Sequence, residues 1–443
     1  MKAKSIPLMQ WRVLIATMVG YTLFYFMRKN FSFAMPGLEQ DCGFAKSALG
    51  NFLFAGGIVY GLSKFVNGFV GDRVNSRKML CLGLAAVVVV NAAFGFAPEL
   101  ASLFGDSPKA LAVTFGTLLV LNQFFQGTGF PPCARLIAYW IPPKELATKM
   151  SVWNTSHSVG GGLVALLCGV IMGLGTAGGM GQGVGMWRWC FWTMAILGAV
   201  GLVAMWLTLP GTPEEEGLEG ASDPSASDLP AAAAHTAPVA AASPSVWRNV
   251  FASPVIWTLG LCNFAINAVR SLVADWGPTL LQEAKGCSAS EAGTIIMLFE
   301  FAGIAGMLVS GWATDRFFGG RAPRLCAFMM ASVSVLLAVF WFFPSIWIAG
   351  AALVAAGFML YGPQALTGVT ATNLATRSLT GTAIGFISLF SYLGVSVSGK
   401  VCGTLAEWYG TWAMSVYAMA GGAAVGAVFF FLLWRTKANS YGE

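Results

Sequence analysis

Twelve apolar stretches, each near the ~20 residues that carry a helix across a bilayer, leave this chain almost no choice of fold class. They run over 12–36, 47–71, 79–97, 110–133, 149–174 and 187–209, then after a gap over 254–278, 289–313, 325–343, 346–368, 381–404 and 412–434. In hydrocarbon every backbone N–H and C=O must be satisfied within the protein, so segments of this length fold as helices. Only 10% of the 443 residues are charged and 56% are hydrophobic, whereas about a quarter of a soluble chain is charged. The expected class is an all-α membrane protein of twelve transmembrane helices. The first stretch runs to Pro36 with no small-residue cleavage site, so it reads as a span and not as a signal peptide.

The gap, "PGTPEEEGLEGASDPSASDLPAAAAHTAPVAAASPS", is rich in Ala, Pro, Ser and acid and cannot bury a core. It divides the chain into a six-helix half over 1–209, a flexible linker over 210–250 and a second six-helix half over 251–443. Basic residues give the orientation. Lys2, Lys4, Arg12, Arg73, Arg77, Lys78, Arg135, Lys144, Lys149, Arg316, Arg321, Arg324, Arg377, Arg435 and Lys437 fall on one side if twelve spans alternate. The opposite loops carry Glu39, Asp41, Glu99, Asp106, Glu283 and Glu407. The positive-inside rule then places both termini and the linker in the cytoplasm. This distribution accounts for the net charge of +6 without a nucleic-acid partner. The nine cysteines show no CxxC or zinc-finger spacing, so they read as small core residues. No metal or cofactor is expected.

The halves repeat. "NGFVGDRVNSRK" follows the second span and "SGWATDRFFGGR" the eighth, so Asp72-Arg73 returns as Asp315-Arg316. Pro36 returns as Pro278 and Gly50 as Gly293. Parallel repeats of this kind build rocking transporters, with the substrate site between the halves near the midplane. Asp72, Arg73, Asp315 and Arg316 lie at the cytoplasmic helix ends, where they are expected to act as charge latches between helices. The alternative is surface ion pairs of little worth.

Charge inside the spans is the informative feature, because each such group costs a few kcal/mol or more at the bilayer centre. Arg28 recurs as Arg270, 242 residues on. Tyr21, Tyr25 and Arg28 are spaced i, i+4, i+7 and share one helical stripe; Asn263, Asn267 and Arg270 repeat that spacing. Two arginines brought face to face repel unless a multivalent anion sits between them, and guanidinium is the planar fork that binds phosphate bidentately. The competing reading is a structural ion pair with a buried acid, for which Asp275 and Glu300 are the candidates. Glu300 has two possible partners, Arg270 and Lys64. Lys64 shares a stripe with Tyr60 and either adds positive charge to the cavity or neutralises Glu300. His157 in "SVWNTSHSVGGG" either contacts the ligand or is a satisfied hydrogen-bonding group. Tyr361 and Tyr392 can hydrogen-bond a polyhydroxylated ligand body. Lys29 lies about 100° around the helix from Arg28 and carries less weight. No nucleophile–base pair, metal cluster or nucleotide loop points to an enzyme.

The loop "GFVGDRVNSRK" resembles the signature between the second and third helices of the major facilitator superfamily. Within it, "YFMRKNFSFAMP", "YGLSKFVNGFVGDR", "FFQGTGFPPCARL", "WNTSHSVGGG" and "LFEFAGIAGMLVSGWATDR" resemble the organophosphate:phosphate antiporters, in both halves of the chain. The resemblance implies a major facilitator fold with Arg28 and Arg270 as the phosphate-binding pair. It further implies Tyr60 and Lys64 as the cavity tyrosine and lysine of the second helix, His157 as the histidine of the fifth, and Tyr21 and Tyr25 as the tyrosines before the first arginine. Some hexose-phosphate members carry an acid and a lysine close together in helix eleven. Here "SYLGVSVSGKV" has Val395 at the acid's place and its lysine, Lys400, falls differently.

The expected function is exchange of a sugar phosphate, a hexose-6-phosphate first, for inorganic phosphate, by a monomer in a bacterial inner membrane. The rivals are a hexose-phosphate sensor of transporter-like fold that signals to a membrane kinase, and a proton-coupled symporter using Glu300 or Asp275.

Overall fold

The computed structural model describes residues 6–71, 73–177, 185–213, 215–216, 251–374 and 380–436. Among these residues there are fifteen helices and no strand. In the first half they are α1 (Ile6–Cys42), α2 (Lys46–Gly71), α3 (Ser76–Gly95), α4 (Ala97–Ser102), α5 (Pro108–Gln126), α6 (Phe130–Trp140), α7 (Pro143–Asn154), α8 (Ser156–Ala177) and α9 (Met186–Thr208). In the second they are α10 (Pro254–Lys285), α11 (Ala289–Phe317), α12 (Ala322–Phe342), α13 (Ile346–Leu374), α14 (Thr380–Tyr409) and α15 (Ala413–Leu432).

Eleven helical spans among the described residues are long and apolar enough to cross a membrane. The first expected span, α1, is not one of them by composition, because Arg28, Lys29 and Asn30 interrupt its apolar run. At 37 residues and 1.5 Å per residue it is nevertheless ample in length, and with it the architecture is the twelve-span one expected.

Local chemistry sets the helix ends. The Asn75 side chain accepts from Lys78 N–H and starts α3. Ser107 accepts from Ala110 N–H just before Pro108, whose missing N–H costs nothing at a first helical position. Gly286, at φ 66°, closes α10 in the left-handed region, and a Ser288–Glu291 capping box opens α11 directly after it. The fourth expected span, 110–133, is broken at Gly127–Gly129 into α5 and α6. Pro131 and Pro132 follow in the first turn of α6, where they supply no N–H to carry the ladder on.

The chain divides into two compact units. The first comprises Met1–Phe31, Val59–Gly161 and Trp187–Pro238. Its core joins α3, α5 and α9 through Phe94, Phe115, Trp187 and Phe191, with Phe94 and Phe191 stacked at 4.8 Å. Buried amides fix α1 to that core. Asn30 donates to Asn91 Oδ1 (3.0 Å) and to the Cys190 carbonyl (3.2 Å), and Asn91 donates to the Phe191 carbonyl (2.8 Å). The start of the expected linker is tethered here: Trp140 donates to the Gly211 carbonyl at 2.8 Å, and Asn75 to Glu215 at 2.5 Å. Residues 217–250 lie outside the described residues.

The second unit comprises Ser32–Ile58, Gly162–Met186 and Val239–Glu443. In it α10 packs on α14 and α15, α11 on α13, and α12 on α13 and α15. It also takes in the C-terminal part of α1, the N-terminal part of α2 and most of α8. Small residues let these backbones approach closely. A Cβ on Gly169 of α8 would come 2.8 Å from the Ala289 carbonyl and 3.0 Å from Gly293 Cα on α11. At one end of the unit Lys46 bridges Glu39 (2.5 Å) and Glu283 (3.0 Å), while Trp412 donates to Glu283 (2.8 Å) and Ser47 N–H to Glu407 (2.7 Å). Those acids are among the ones that the charge pattern assigns to the non-cytoplasmic face.

Candidate functional site

In the first unit α1 carries the stripe expected of it. Tyr21 and Tyr25 are both buried, with ring centroids 5.4 Å apart. The guanidinium carbon of Arg28 lies 4.4 Å from the Tyr25 ring centroid and 4.2 Å from that of Tyr60 on α2. Each desolvated cation–π contact of this kind is worth ~2 kcal/mol. Arg28 Nε donates to Gln126 Oε1 on α5 at 3.2 Å. Lys64, one turn after Tyr60, sets its ammonium 4.5 Å from the Phe130 ring centroid. Tyr21 joins an aromatic group with Phe130 and Trp153.

His157 is buried near the start of α8, its ring 5.7 Å from that of Tyr25. Its Nδ1 faces the Asn154 carbonyl, which can only accept, so Nδ1 carries the proton. Its Nε2 lies 3.2 Å from Ser158 Oγ and in the neutral ring accepts from that hydroxyl. The structure thus supplies the histidine with local partners while keeping it beside the Tyr25 side of the Arg28 cage.

In the second unit Arg270 has a different set of partners. Its Nε donates to Tyr361 Oη on α13 at 2.8 Å, and its Nη2 lies 3.2 Å from Glu300 Oε1 on α11. Tyr361 in turn donates to Glu300 Oε2, which closes a triangle. The Tyr361 ring also lies under the guanidinium, 4.7 Å from centroid to carbon. Of the two partners open to Glu300 in the sequence, Arg270 is the one it pairs with in this unit. Glu300 and Tyr361 are almost completely buried. A carboxylate in such a place is tolerable because it is both paired and hydrogen-bonded.

The asparagines of the second stripe bond to each other and to backbone. Asn267 donates to Asn263 Oδ1 (3.1 Å), and Asn263 donates to the Ile387 carbonyl on α14 (3.2 Å). Tyr392 is half-buried on α14, and its carbonyl accepts from Ser396. Lys29 is half-buried on α1. Asp275 is buried on α10 and accepts from Ser271. Arg73 and the pair Asp315 and Arg316 are exposed near the ends of α2 and α11, and Asp72 lies outside the described residues.

Two buried amides beside the Arg28 cage were not singled out from the sequence. Asn122 and Gln126 lie one turn apart on α5, both buried, and donate to the carbonyls of Met27 (3.1 Å) and Phe24 (2.9 Å). The available signal was their i, i+4 spacing inside a span, in "LNQFFQGTG", which marks one polar face turned to a neighbouring helix.

The family model "Major Facilitator Superfamily" matches residues 17–399. A glycerol-3-phosphate transporter of Bacillus subtilis (strain 168) is 33% identical over 96% of this chain and 92% of its own length. The membrane sensor protein UhpC of Salmonella typhimurium (strain LT2) is also 33% identical, over 93% and 89%. A probable hexose phosphate transport protein of Chlamydia pneumoniae is 32% identical, over 97% and 93%. Among solved structures, a bacterial homolog of the human lysosomal transporter Spinster superposes with a TM-score of 0.75 over 96% of both chains, at 16% identity. That last likeness speaks to the fold alone.

Proposed function

We propose that this chain, which belongs to the major facilitator superfamily and within it to the organophosphate:phosphate antiporter type, exchanges a sugar phosphate for inorganic phosphate across a bacterial inner membrane. It is a multi-pass transporter and not an enzyme. The observation that carries the finer reading is Arg28: a guanidinium held by two tyrosine rings and a neutral amide, with a second cation, Lys64, one turn beyond one of those tyrosines. Such a group is preorganised for a dianion and stays charged without water.

In this reading Arg28 and Arg270 take opposite edges of one phosphate. Tyr25, Tyr60, Lys64 and His157 serve the first arginine; Tyr361 and Glu300 serve the second. Without an anion, Arg270 keeps its pair with Glu300 and closure of the halves gains nothing; with one, both arginines gain by closure. Reorientation is therefore fast only when loaded, which makes the exchange obligatory and lets the outward phosphate gradient drive uptake. The relatives that transport glycerol-3-phosphate and hexose phosphate support a phosphate ester as substrate. Hexose-6-phosphate is the first candidate for the organic part, with Asn263, Asn267 and Tyr392 on its side. The unit of function is the monomer, and Asp72-Arg73 and Asp315-Arg316 serve as charge latches between helices at the cytoplasmic ends of their halves.

The sensor reading has one specific observation in its favour, the 33% identity to a membrane sensor protein. Counterflow into proteoliposomes with a panel of phosphorylated sugars separates the two. A transporter accumulates at least one labelled ester against internal phosphate. Saturable binding of the same ester with no flux would establish the sensor.

A further inference from the structure

The Nε partner of Arg28, the neutral amide beside it, has an unusually determined geometry. Gln126 is fully buried on α5. Its Nε2 donates at 2.9 Å to the carbonyl of Phe24, one turn before Arg28 on the same helix, and its Oε1 accepts from Arg28 Nε at 3.2 Å. The amide cannot turn over. A flip would set oxygen against the Phe24 carbonyl and an NH2 against the guanidinium, two repulsive contacts in place of two hydrogen bonds. Asn122, one turn away, holds the Met27 carbonyl in the same manner at 3.1 Å. So α5 grips the backbone of α1 at two points next to Arg28, and through Gln126 it also holds the Arg28 side chain.

We propose that Gln126 is the positioning residue of Arg28. It holds the Nε edge, beside the Tyr25 and Tyr60 rings, and so fixes how the guanidinium turns its terminal nitrogens toward an anion. Neutrality is part of the design. An amide orients the cation and leaves its charge for the ligand, whereas a carboxylate at the same place would pair with Arg28 and compete with phosphate. The neighbouring Asn122 has the same chemistry and burial but only backbone to hold. It serves as the internal control for helix clamping without Arg28 orientation. This assignment rests on the phosphate reading of the site.

The test is the dissociation constant for inorganic phosphate, measured by calorimetry on the purified full chain, with thermal stability recorded beside it. Gln126→Glu is expected to weaken binding at least thirtyfold, and Gln126→Met, which keeps the volume and loses the hydrogen bonds, about tenfold, the scale of one hydrogen bond to a charged group. Asn122→Ala is expected to lower the melting temperature yet leave the constant within about twofold. A conserved maximal exchange rate with raised KM in Gln126→Met would carry the same signature into transport. If Gln126→Glu fails to fold, Gln126→Met against Asn122→Ala still decides. Binding by both Gln126 variants within twofold of the wild type, or equal weakening in Gln126→Met and Asn122→Ala, would overturn the assignment. A wild-type chain that binds no phosphate and no phosphate ester would instead bring down the transport reading, and the Gln126 assignment with it.

Discussion

Arg28 and Arg270 each receive an Nε partner from the fourth span of their own half, Gln126 on α5 and Tyr361 on α13. Each also meets a residue of the second span, and there the halves part. In the first half that span brings Tyr60 and the cation Lys64; in the second it brings the carboxylate Glu300. The described surroundings of Arg28 thus add positive charge, while Arg270 is balanced inside its triangle with Glu300 and Tyr361. An internal repeat preserved the scaffold of the site and let its charge diverge. In the proposed reading this is a division of labour: the first half supplies standing attraction for an anion, and the second offers an arginine that an anion must share with a carboxylate.

Substitutions that degrade or remove this contrast order themselves by size. Arg28→Lys is expected to cost the most, about a hundredfold in phosphate affinity, because a point charge loses both the fork and the stacked plane. Arg270→Lys should remove most exchange, but with only about a tenfold fall in affinity, since its charge is already offset by Glu300. Equal affinity losses for the two would break the comparison. Glu300→Gln makes the second half resemble the first. Phosphate affinity is expected to rise about tenfold while turnover falls through slow release, and the melting temperature should drop with the loss of a buried pair; binding isotherms and counterflow rates read the two effects separately. Tyr60→Leu is expected to weaken phosphate binding about fivefold and Tyr60→Phe by a smaller factor, since the ring face lies against Arg28 and the hydroxyl also bonds it.

An ion pair that none of the site residues joins sets the baseline. Glu99 on α4 lies 2.6 Å from Arg188. Burial pushes its carboxyl up, but the hydrogen bonds from Arg188 and from its own backbone, with the charge of Arg188, together hold it below the usual carboxylate range. Its contribution to stability is therefore present above the unfolded value and is lost as pH falls through the folded one. Being largely exposed, it is worth about 0–1 kcal/mol. Glu99→Gln should thus leave transport unchanged and narrow the difference in melting temperature between pH 6 and pH 3 only slightly.

Much of this was legible in the chain because lipid is an exacting solvent. The sixth expected span, 187–209, differs from α9 by one residue at each end, since Arg188 and the run after Leu209 mark its limits. The break between α5 and α6 was missed because Gly127–Gly129 and the two prolines sit in sequence apolar enough to pass for one span. The Tyr21–Tyr25–Arg28 stripe followed from helical spacing alone. Whether Glu300 would meet Arg270 or Lys64 stayed open, because i, i+4 arithmetic works within a helix and says nothing across two. Gln126 was missed for the same reason: its i, i+4 spacing with Asn122 marks a polar face, but its partner is 98 residues away.

The most direct measurement is uptake of labelled glucose-6-phosphate into proteoliposomes holding the purified chain, loaded either with inorganic phosphate or with none. Uptake in the loaded vesicles, none in the empty ones, and none in either with Arg28→Lys is the predicted result. Equal uptake with and without internal phosphate, or full exchange by the Arg28→Lys chain, would contradict it.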